Sequence, residues 1–268
     1  MNFLKRLGVF VPMGRTAAWI LLAAFILFAQ GGEFARTEWS RNQGMLIADG
    51  GRPVAASASE LARRFGIAIS VEDPEYIHQA DVVDVTAQVA RSAVDHRILV
   101  PRSVQLHVPF EATADGSPTN RVALVDALIE AANAEVPFGY RLETTSTPFA
   151  IVPTKTRNAD GEIVEMTPLL DRLVSIPLGR RKVNESASLL AQALSAQTAL
   201  TVSCCQGAIA GVPWGLEEAD FGADNEPARS VLRRLLRLTS GRWIWLMNCD
   251  PAPTQFCFIN LQTVNTTR

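Results

Sequence analysis

The sequence predicts an α+β fold of two tandem small modules, each with two helices packed on short mixed β-sheets. A short amphipathic helix followed at once by a short strand occurs in "SASELARRFGIAISVED" (57–73) and again in "SASLLAQALSAQTALTVSCC" (186–205). In each half a second helix precedes an apolar stretch with a turn, which is typical of a β-hairpin. Each half therefore runs helix, strand, strand, helix and hairpin. The alternative is a single α+β domain with coincidental periodicity.

Changes of composition and turn residues divide the chain into six predicted segments. These are a signal peptide or N-terminal anchor at 1–31, a loose segment at 32–50, a first module with inserted strands at 51–154, a linker at 155–167, a second module at 168–262 and a tail at 263–268. The linker is predicted because "KTRNADGEIVEMT" is polar and contains an Asp-Gly turn.

The N-terminus predicts export. Lys5, Arg6 and Arg15 precede the uncharged apolar run "TAAWILLAAFILFA" (16–29), and small residues follow it. This is the order of regions in a secretory signal peptide. The run of 14 residues is shorter than the roughly 20 that a membrane span needs. An uncleaved anchor is the alternative, and either way we expect the rest of the chain in the periplasm or cell envelope.

Charge and length narrow the classes of function. The 268 residues suffice for one large or two small cores, and the net charge of −2 gives no basic face. We therefore expect no nucleic-acid partner. Membrane contact is expected only through the N-terminal segment, if it remains uncleaved.

The first half contains clear helix boundaries. Pro53 is placed at a first helical position and Gly66 at a helix end, and the strand that follows is closed by Pro74. Thr119 or Asn120 is expected to cap the second helix. Its apolar face consists of Leu124, Val125, Leu128, Ile129 and Ala132. The valine-rich stretch between the two helices predicts two or three strands.

The second half repeats this order. "LLDRLVSIPLG" predicts a strand, and the following helix is expected to be capped by Asn184 or Ser186. After the strand "LTVSCC" and an irregular strand in "GVPWGLEEADF", a second helix is expected from a cap at Asn225 to a stop at Gly241. The last stretch predicts a hairpin with the loop "DPAPTQ".

Three stretches of this half carry a family resemblance. Ile176 and Pro177 in a strand, the helix Leu190–Thr198, and the helix and aromatic strand Leu232–Trp243 follow one another in order. This order resembles the short N-terminal module of secretins and TonB-dependent receptors. The resemblance implies two helices packed against small mixed sheets and a role in protein–protein contact across the periplasm.

Four cysteines lie in the second half, and export makes disulfides the expected state. Cys249 and Cys257 flank the predicted hairpin loop and are placed to pair. Equally, one residue of the pair Cys204 and Cys205 is placed to reach one hairpin cysteine. A bond between the adjacent cysteines is least expected, because neighbouring residues of a strand point to opposite faces. We expect at least one bond that involves the hairpin.

The sequence contains no strong catalytic or metal motif. Neither a CxxC pair nor a histidine accompanies the four cysteines, so zinc and thiol redox chemistry are not expected. The histidines His78, His96 and His107 lie in the first half. His96 in "VDHR" has the spacing of a general base next to an aspartate, although such a pair more often belongs to a surface loop. We expect no catalytic residue, cofactor or metal.

Two hypotheses of function follow. The first is an exported, non-catalytic protein–protein interaction module that contacts another envelope protein, by strand addition at a sheet edge. The second is an exported enzyme or glycan-binding protein with a site in the insertion at 76–112, which needs His96 or His107 to converge with acidic side chains. Trp243 and Trp245 share one face of a strand and are expected in the core, although with Trp214 they also fit an aromatic ligand platform.

Overall fold

The computed structural model describes most of the chain after residue 34. The described residues are 35–40, 44–89, 97–143, 148–204, 215–239, 241–251, 254 and 256–264. Ala35 to Arg268 belong to one unit. The predicted signal peptide lies outside the described residues, as do residues 265–268 of the predicted tail, whereas Thr263 belongs to the last strand and Val264 is buried.

The elements of the first half alternate between short strands and helices. They are β1 Ala35–Ser40, β2 Met45–Gly50, α1 Pro53–Phe65, β3 Ile69–Glu72, β4 Val82–Asp84, α2 Thr86–Val89, β5 Leu99–Pro101, β6 Val104–Pro109, α3 Arg121–Glu135, β7 Arg141–Glu143 and β8 Phe149–Val152. The middle stretch thus holds three strands, β4 to β6, as well as the short helix α2.

The second half has longer strands. Its elements are β9 Lys155–Arg157, β10 Ile163–Glu165, β11 Leu173–Lys182, α4 Val183–Gln197, β12 Thr201–Cys204, β13 Glu218–Pro227, α5 Ala228–Arg237, β14 Trp243–Cys249 and β15 Phe256–Thr263. The predicted hairpin is confirmed, because "DPAPTQ" separates β14 from β15.

The protein has a mixed α/β fold around one six-stranded sheet. The strand order is β12-β15-β14-β3-β8-β7, so each half contributes three neighbouring strands. In the first half β3 is parallel to β8 and β7 is antiparallel to β8. In the second half β12 is parallel to β15 and β14 is antiparallel to β15. The halves join where β14 pairs in parallel with β3, through Leu246 opposite Val71 and Met247 opposite Glu72.

The two halves cover opposite faces of this sheet with helices. On β14, Leu246 packs in the core formed with α1 and α3, whereas Trp245 and Met247 pack in the core formed with α4 and α5. On β8, Ile151 and Ala150 divide between the two cores in the same way. Alternation of side chains along each strand therefore gives the sheet two buried faces.

Smaller sheets flank these layers. β1, β2 and β6 form an antiparallel sheet in the order β1-β2-β6. β11 pairs antiparallel with β13, β4 with β5, and β9 with β10. The strand before α1 is thus β2, which pairs with β6, and the strand before α4 is β11, which pairs with β13.

The helix boundaries predicted for the first half are confirmed. Pro53 is the first residue of α1, and Gly66 ends it in the left-handed conformation, with φ of 61°. Asn120 caps α3, since its Oδ1 accepts hydrogen bonds from the N–H groups of Val122 and Ala123. The buried face of α3 consists of the predicted Leu124, Val125, Leu128, Ile129 and Ala132.

The prediction of a loose segment at 32–50 is wrong for most of its residues. β1 and β2 occupy this stretch, and Leu46 and Ala48 of β2 are fully buried. Trp39 of β1 packs on Phe65 and Phe110, with ring centroids 4.8 and 4.2 Å apart. Burial of these aromatic rings holds a polar-looking strand in place.

The predicted linker at 155–167 is a small hairpin, β9–β10, around the predicted turn at Asp160 and Gly161. The hairpin is tied to the first half, because Thr156 Oγ1 donates a hydrogen bond to the Glu75 carbonyl at 2.7 Å. A polar segment therefore becomes ordered through contacts with a distant part of the chain.

Three predicted helix boundaries of the second half are wrong. α4 begins at Val183, where the N–H of Lys182 donates to Glu185, so neither Asn184 nor Ser186 is the cap. Asn225 lies in β13, not at a helix start. α5 begins at Ala228 and ends at Arg237, before the predicted stop at Gly241. Strands lead directly into both helices, and this leaves no separate capping turn.

Candidate functional site

The ribbon formed by β11 and β13 presents open strand edges. Within the described residues each of these strands pairs only with the other, so each has an outer edge that no strand covers. Backbone N–H and C=O groups along such an edge are available to another extended chain.

A bulge in this ribbon exposes an aliphatic side chain. Pro177 and Leu178 of β11 lie opposite the single residue Gly222 of β13, where the register shifts. A Cβ atom on Gly222 would lie 2.8 Å from the Leu178 Cα, so only glycine fits this close approach. The Leu178 residue is 81% exposed. The backbone thus holds an apolar side chain in solvent.

A second irregularity adds acidic and polar groups beside this bulge. Asn225 of β13 adopts a left-handed conformation with φ of 51°, and its N–H donates to Ser175 Oγ at 3.0 Å. Asp224 and Glu226 lie on either side of it and line a shallow groove together with Leu178. The groove therefore combines the exposed side chain of Leu178 with carboxylates.

The hairpin disulfide is confirmed. Cys249 of β14 and Cys257 of β15 are bonded and lie directly opposite one another, with Cα atoms 4.0 Å apart. This bond excludes the alternative in which a hairpin cysteine bonds with Cys204 or Cys205. Cys204 is buried and disulfide-bonded. Cys205 lies outside the described residues, so the prediction about a bond between Cys204 and Cys205 stays a prediction.

The histidines do not form a catalytic group in the described part of the chain. His78 Nδ1 accepts a hydrogen bond from the N–H of Ala80, which begins a 3-10 turn. His107 is exposed on β6 and contacts Gln105. Among the described residues no group of three His, Cys, Asp or Glu side chains is placed to hold a metal ion. His96 lies outside these residues.

The tryptophans of β14 belong to the core. Trp245 is fully buried and Trp243 is 6% exposed, both in the core that contains α4 and α5. The core interpretation is confirmed for these two residues. Trp214, the third member of the alternative platform, lies outside the described residues.

Buried ion pairs join the two halves. Arg229 of α5 makes two hydrogen bonds to the Glu72 carboxylate of β3, at 2.6 and 3.0 Å, and also binds Glu143 and Asp171. Arg229 and Glu72 have side chains only 3% and 1% exposed. Burial raises the pKa of the Glu72 carboxyl, and the hydrogen bonds from Arg229 oppose this shift. This network is satisfied internally and offers no open position to a substrate.

A cavity of about 210 Å³ lies at the start of α1. We call it the tyrosine cavity, because its lining includes both tyrosines of the chain. Its principal lining residues are Arg52, Tyr76, Arg102, Phe138, Tyr140 and Arg157. The insertion at 76–112 contributes Tyr76, Asp81 and Arg102 to this lining. The cavity was not predicted from the sequence, since its walls come from separate segments. The one available signal was that the chain has only two tyrosines, and both line the cavity.

Comparisons of this chain with protein-family models, with curated proteins and with solved structures find no match. The resemblance to the short module of secretins and TonB-dependent receptors therefore stays a prediction from the sequence. Within the described residues, no helix combines the length and the apolar character that a membrane span requires.

Proposed function

We propose that this chain is a non-catalytic protein–protein interaction module of the periplasm or cell envelope, and that the β11–β13 ribbon binds its partner. The observation that carries the proposal is the 81% exposure of Leu178 on a bulge whose close backbone approach requires glycine at position 222. An aliphatic side chain beside open strand edges supplies both an apolar anchor and backbone hydrogen-bonding groups.

The partner is another envelope protein that offers an extended segment. Added as a strand along β11, the segment would bury Leu178 under an apolar side chain of its own. Asp224 is exposed in the same groove and favours a basic residue at the adjoining position. Membrane contact, in this proposal, is limited to the N-terminal segment.

Two tandem modules are the architecture that we infer for this function. The matching strand pairs support it: β2–β6 corresponds to β11–β13, β3–β8 to β12–β15, and β7–β8 to β14–β15. Each correspondence keeps its parallel or antiparallel sense. In this interpretation the first module uses β1 to cover the outer edge of β2, while the second leaves β11 open.

Export is supported by the N-terminal apolar run and by the disulfide between Cys249 and Cys257. Export is tested by fractionation of cells that produce the tagged full-length chain. Recovery of the protein in the periplasm or envelope with an oxidised hairpin is expected, and recovery in the cytoplasm would contradict it.

The ribbon is tested by photo-cross-linking in cells. A photoreactive amino acid replaces Leu178 in the full-length chain, and the matched control replaces Leu238, which is 40% exposed at the end of α5. We expect a cross-link to one envelope protein from position 178 and not from position 238. Leu178→Asp should abolish co-purification of that protein, and Leu238→Asp should not. Cross-linking of the same envelope protein to an equal extent from positions 178 and 238 would contradict the proposal.

The second hypothesis, an exported enzyme or glycan-binding protein, receives limited support. The insertion at 76–112 does line the tyrosine cavity, but exposed His107 is absent from its lining. A cavity of about 210 Å³ is also smaller than the roughly 300–1,000 Å³ pockets that hold drug-sized ligands. A glycan chain exceeds this space, so a site here suits a much smaller molecule.

A further inference from the structure

We propose that the tyrosine cavity binds a small organic carboxylate, whose charged group lies at the N-terminus of α1. This function is separate from partner binding by the ribbon, since Leu178 and Gly222 take no part in the cavity lining. The proposal rests on three features of the cavity wall: unpartnered hydroxyls, an uncapped helix end and arginines that pair with two of its three carboxylates.

The tyrosine hydroxyls supply the first feature. Tyr76 and Tyr140 are 6% and 7% exposed, and both line the cavity. Neither hydroxyl has a hydrogen-bond partner among the described residues, and neither oxygen is among the atoms that the protein fully encloses. Both hydroxyls are therefore free to donate a hydrogen bond to a molecule that enters the cavity. Burial also raises the pKa of both hydroxyls, which keeps them protonated as donors.

The start of α1 supplies the second feature. Pro53, Val54 and Ala55 form the first turn of this helix of 13 residues, and all three line the cavity. No side chain caps the helix and no acidic residue lies in its first turn. The N–H groups of Val54 and Ala55 are therefore donors without an intrahelical acceptor, at the positive end of the helix dipole. An anion is the species that this end stabilises.

The charged residues of the lining supply the third feature. Arg52 donates to Asp73 Oδ2 at 2.5 Å, and Arg157 donates to Asp81 Oδ1 at 3.3 Å. The second oxygen of Asp81 is enclosed by protein and has no hydrogen-bond partner among the described residues. Two of the three carboxylates in the lining, those of Asp73 and Asp81, are thus paired with arginines, whereas the third, Glu135, is exposed at the end of α3. Arg102 lies exposed at the rim, where its guanidinium donates to backbone carbonyls.

The apolar part of the wall sets the size of the ligand. It includes Val104, Val136 and Phe138, and the ring of Phe138 packs edge-on against both tyrosine rings. A volume of about 210 Å³ accommodates a carboxylate with a short hydrocarbon part. Bare phosphate would use the donors but would leave the apolar wall unfilled.

Fluorine NMR of the full-length protein tests this proposal directly. The chain has two tyrosines, so 3-fluorotyrosine labelling gives two resonances, and both report on the cavity. Propionate is titrated at constant chloride, and propionamide serves as the uncharged control of nearly equal shape. Inorganic phosphate forms a third arm. We expect saturable shifts of both resonances with propionate and none with propionamide.

Variants establish where the anion binds. Tyr76→Phe and Tyr140→Phe keep the rings, assign the resonances and should each weaken propionate binding about tenfold, since each removes a hydrogen bond to a charged group. Arg102→Gln should also weaken it, whereas Arg121→Gln, on the exposed start of α3, should leave it unchanged. No saturable shift with propionate, or equal shifts with propionamide, would overturn the proposal. Shifts with phosphate alone would overturn the assignment to a carboxylate.

Discussion

At the scale of single residues, the most unusual groups are the two buried tyrosines. Tyr76, Phe138 and Tyr140 form a chain of edge-on aromatic contacts, with ring centroids 5.6 and 6.4 Å apart. The rings fill apolar space, whereas the hydroxyls face the cavity. Each phenol would lose most of its hydration if it ionised there, so both remain neutral at a pH where an exposed tyrosine titrates.

Alkaline titration should reveal these residues. Burial raises the pKa of Tyr76 and Tyr140 in the folded protein, while an unfolded tyrosine ionises near pH 10. The unfolded chain therefore loses these protons first, so stability is fully present below about pH 10 and falls as the pH rises above it. We expect little tyrosinate absorbance at 295 nm in the native protein at pH 10.5, and about three quarters of both tyrosines to be ionised at the same pH after unfolding in guanidinium. Half-ionised tyrosines in the native protein near pH 10 would contradict this expectation.

At the scale of elements, the hairpin β14–β15 is the best-defined unit of the second half. Its strands pair in continuous register from Trp243 opposite Thr263 to Cys249 opposite Cys257. The disulfide lies at the open loop end of this register, where the strands would otherwise fray. It restricts the unfolded chain over a sequence separation of 8 residues.

Removal of this crosslink should lower stability measurably. The double variant Cys249→Ala/Cys257→Ala is expected to lose about 2–3 kcal/mol of unfolding free energy, the chain-entropy value for a loop of this length. Urea unfolding under oxidising conditions measures the difference, and the wild-type protein under the same conditions is the reference. An unchanged midpoint would mean that the strand pairing alone fixes the hairpin.

Local elements were predictable where one short stretch of sequence determines them. Pro53 and Gly66 bound α1, Asn120 caps α3, and the loop between β14 and β15 was predicted at its correct residues. Asn225 was misassigned because its side chain suits a helix cap, whereas the backbone uses its tolerance of positive φ for a bulge. Residue type alone does not distinguish these two uses.

Elements that depend on distant partners were not predictable from local pattern. β1 carries charged and polar residues, and only Trp39, packed on α1 and on the residue after β6, indicates burial. The tyrosine cavity was even less predictable from local sequence than β1. Arg52, Tyr76, Phe138 and Arg157 converge from separate elements, and no spacing along the chain encodes this convergence.

At the scale of the whole molecule, the junction of the halves contains polar residues inside a sheet. Ser70 and Glu72 lie on the face of β3 that turns toward the second half, and both are fully buried. Ser70 Oγ accepts the N–H of Trp245 at 3.2 Å, and Glu72 binds Arg229. Ser70 and Glu72 are thus each matched by a partner from the other half, and this pairing specifies how the halves dock.

Disruption of this junction should destabilise both halves together. Arg229→Met leaves Glu72 buried without its partner and is expected to cost about 3–5 kcal/mol of unfolding free energy. The double variant Glu72→Leu/Arg229→Met should recover much of this loss, because no buried charge then lacks a partner at that position. Denaturant unfolding of the wild-type protein, the single variants Glu72→Leu and Arg229→Met and the double variant gives the coupling energy.

The matched control for this cycle is Arg234→Met on the same helix. Arg234 pairs with Glu226 near the surface, with side chains 41% and 33% exposed, so about 0–1 kcal/mol is expected. We also expect one cooperative transition in each protein, since the halves share a sheet. Two separated transitions, or equal losses in Arg229→Met and Arg234→Met, would contradict a coupling role for the buried network.

The position of β3 beside β14 has a consequence for biosynthesis. Trp245 and Ser70 are in contact across a sequence separation of 175 residues, so the ribosome releases β3 long before the strand that completes it. Until Trp243–Cys249 emerges, β3 keeps one bare edge, which is the kind of surface that recruits foreign strands. We therefore expect nascent chains of this protein to need protection of that edge by chaperones, and a chain that ends before Trp243 to aggregate.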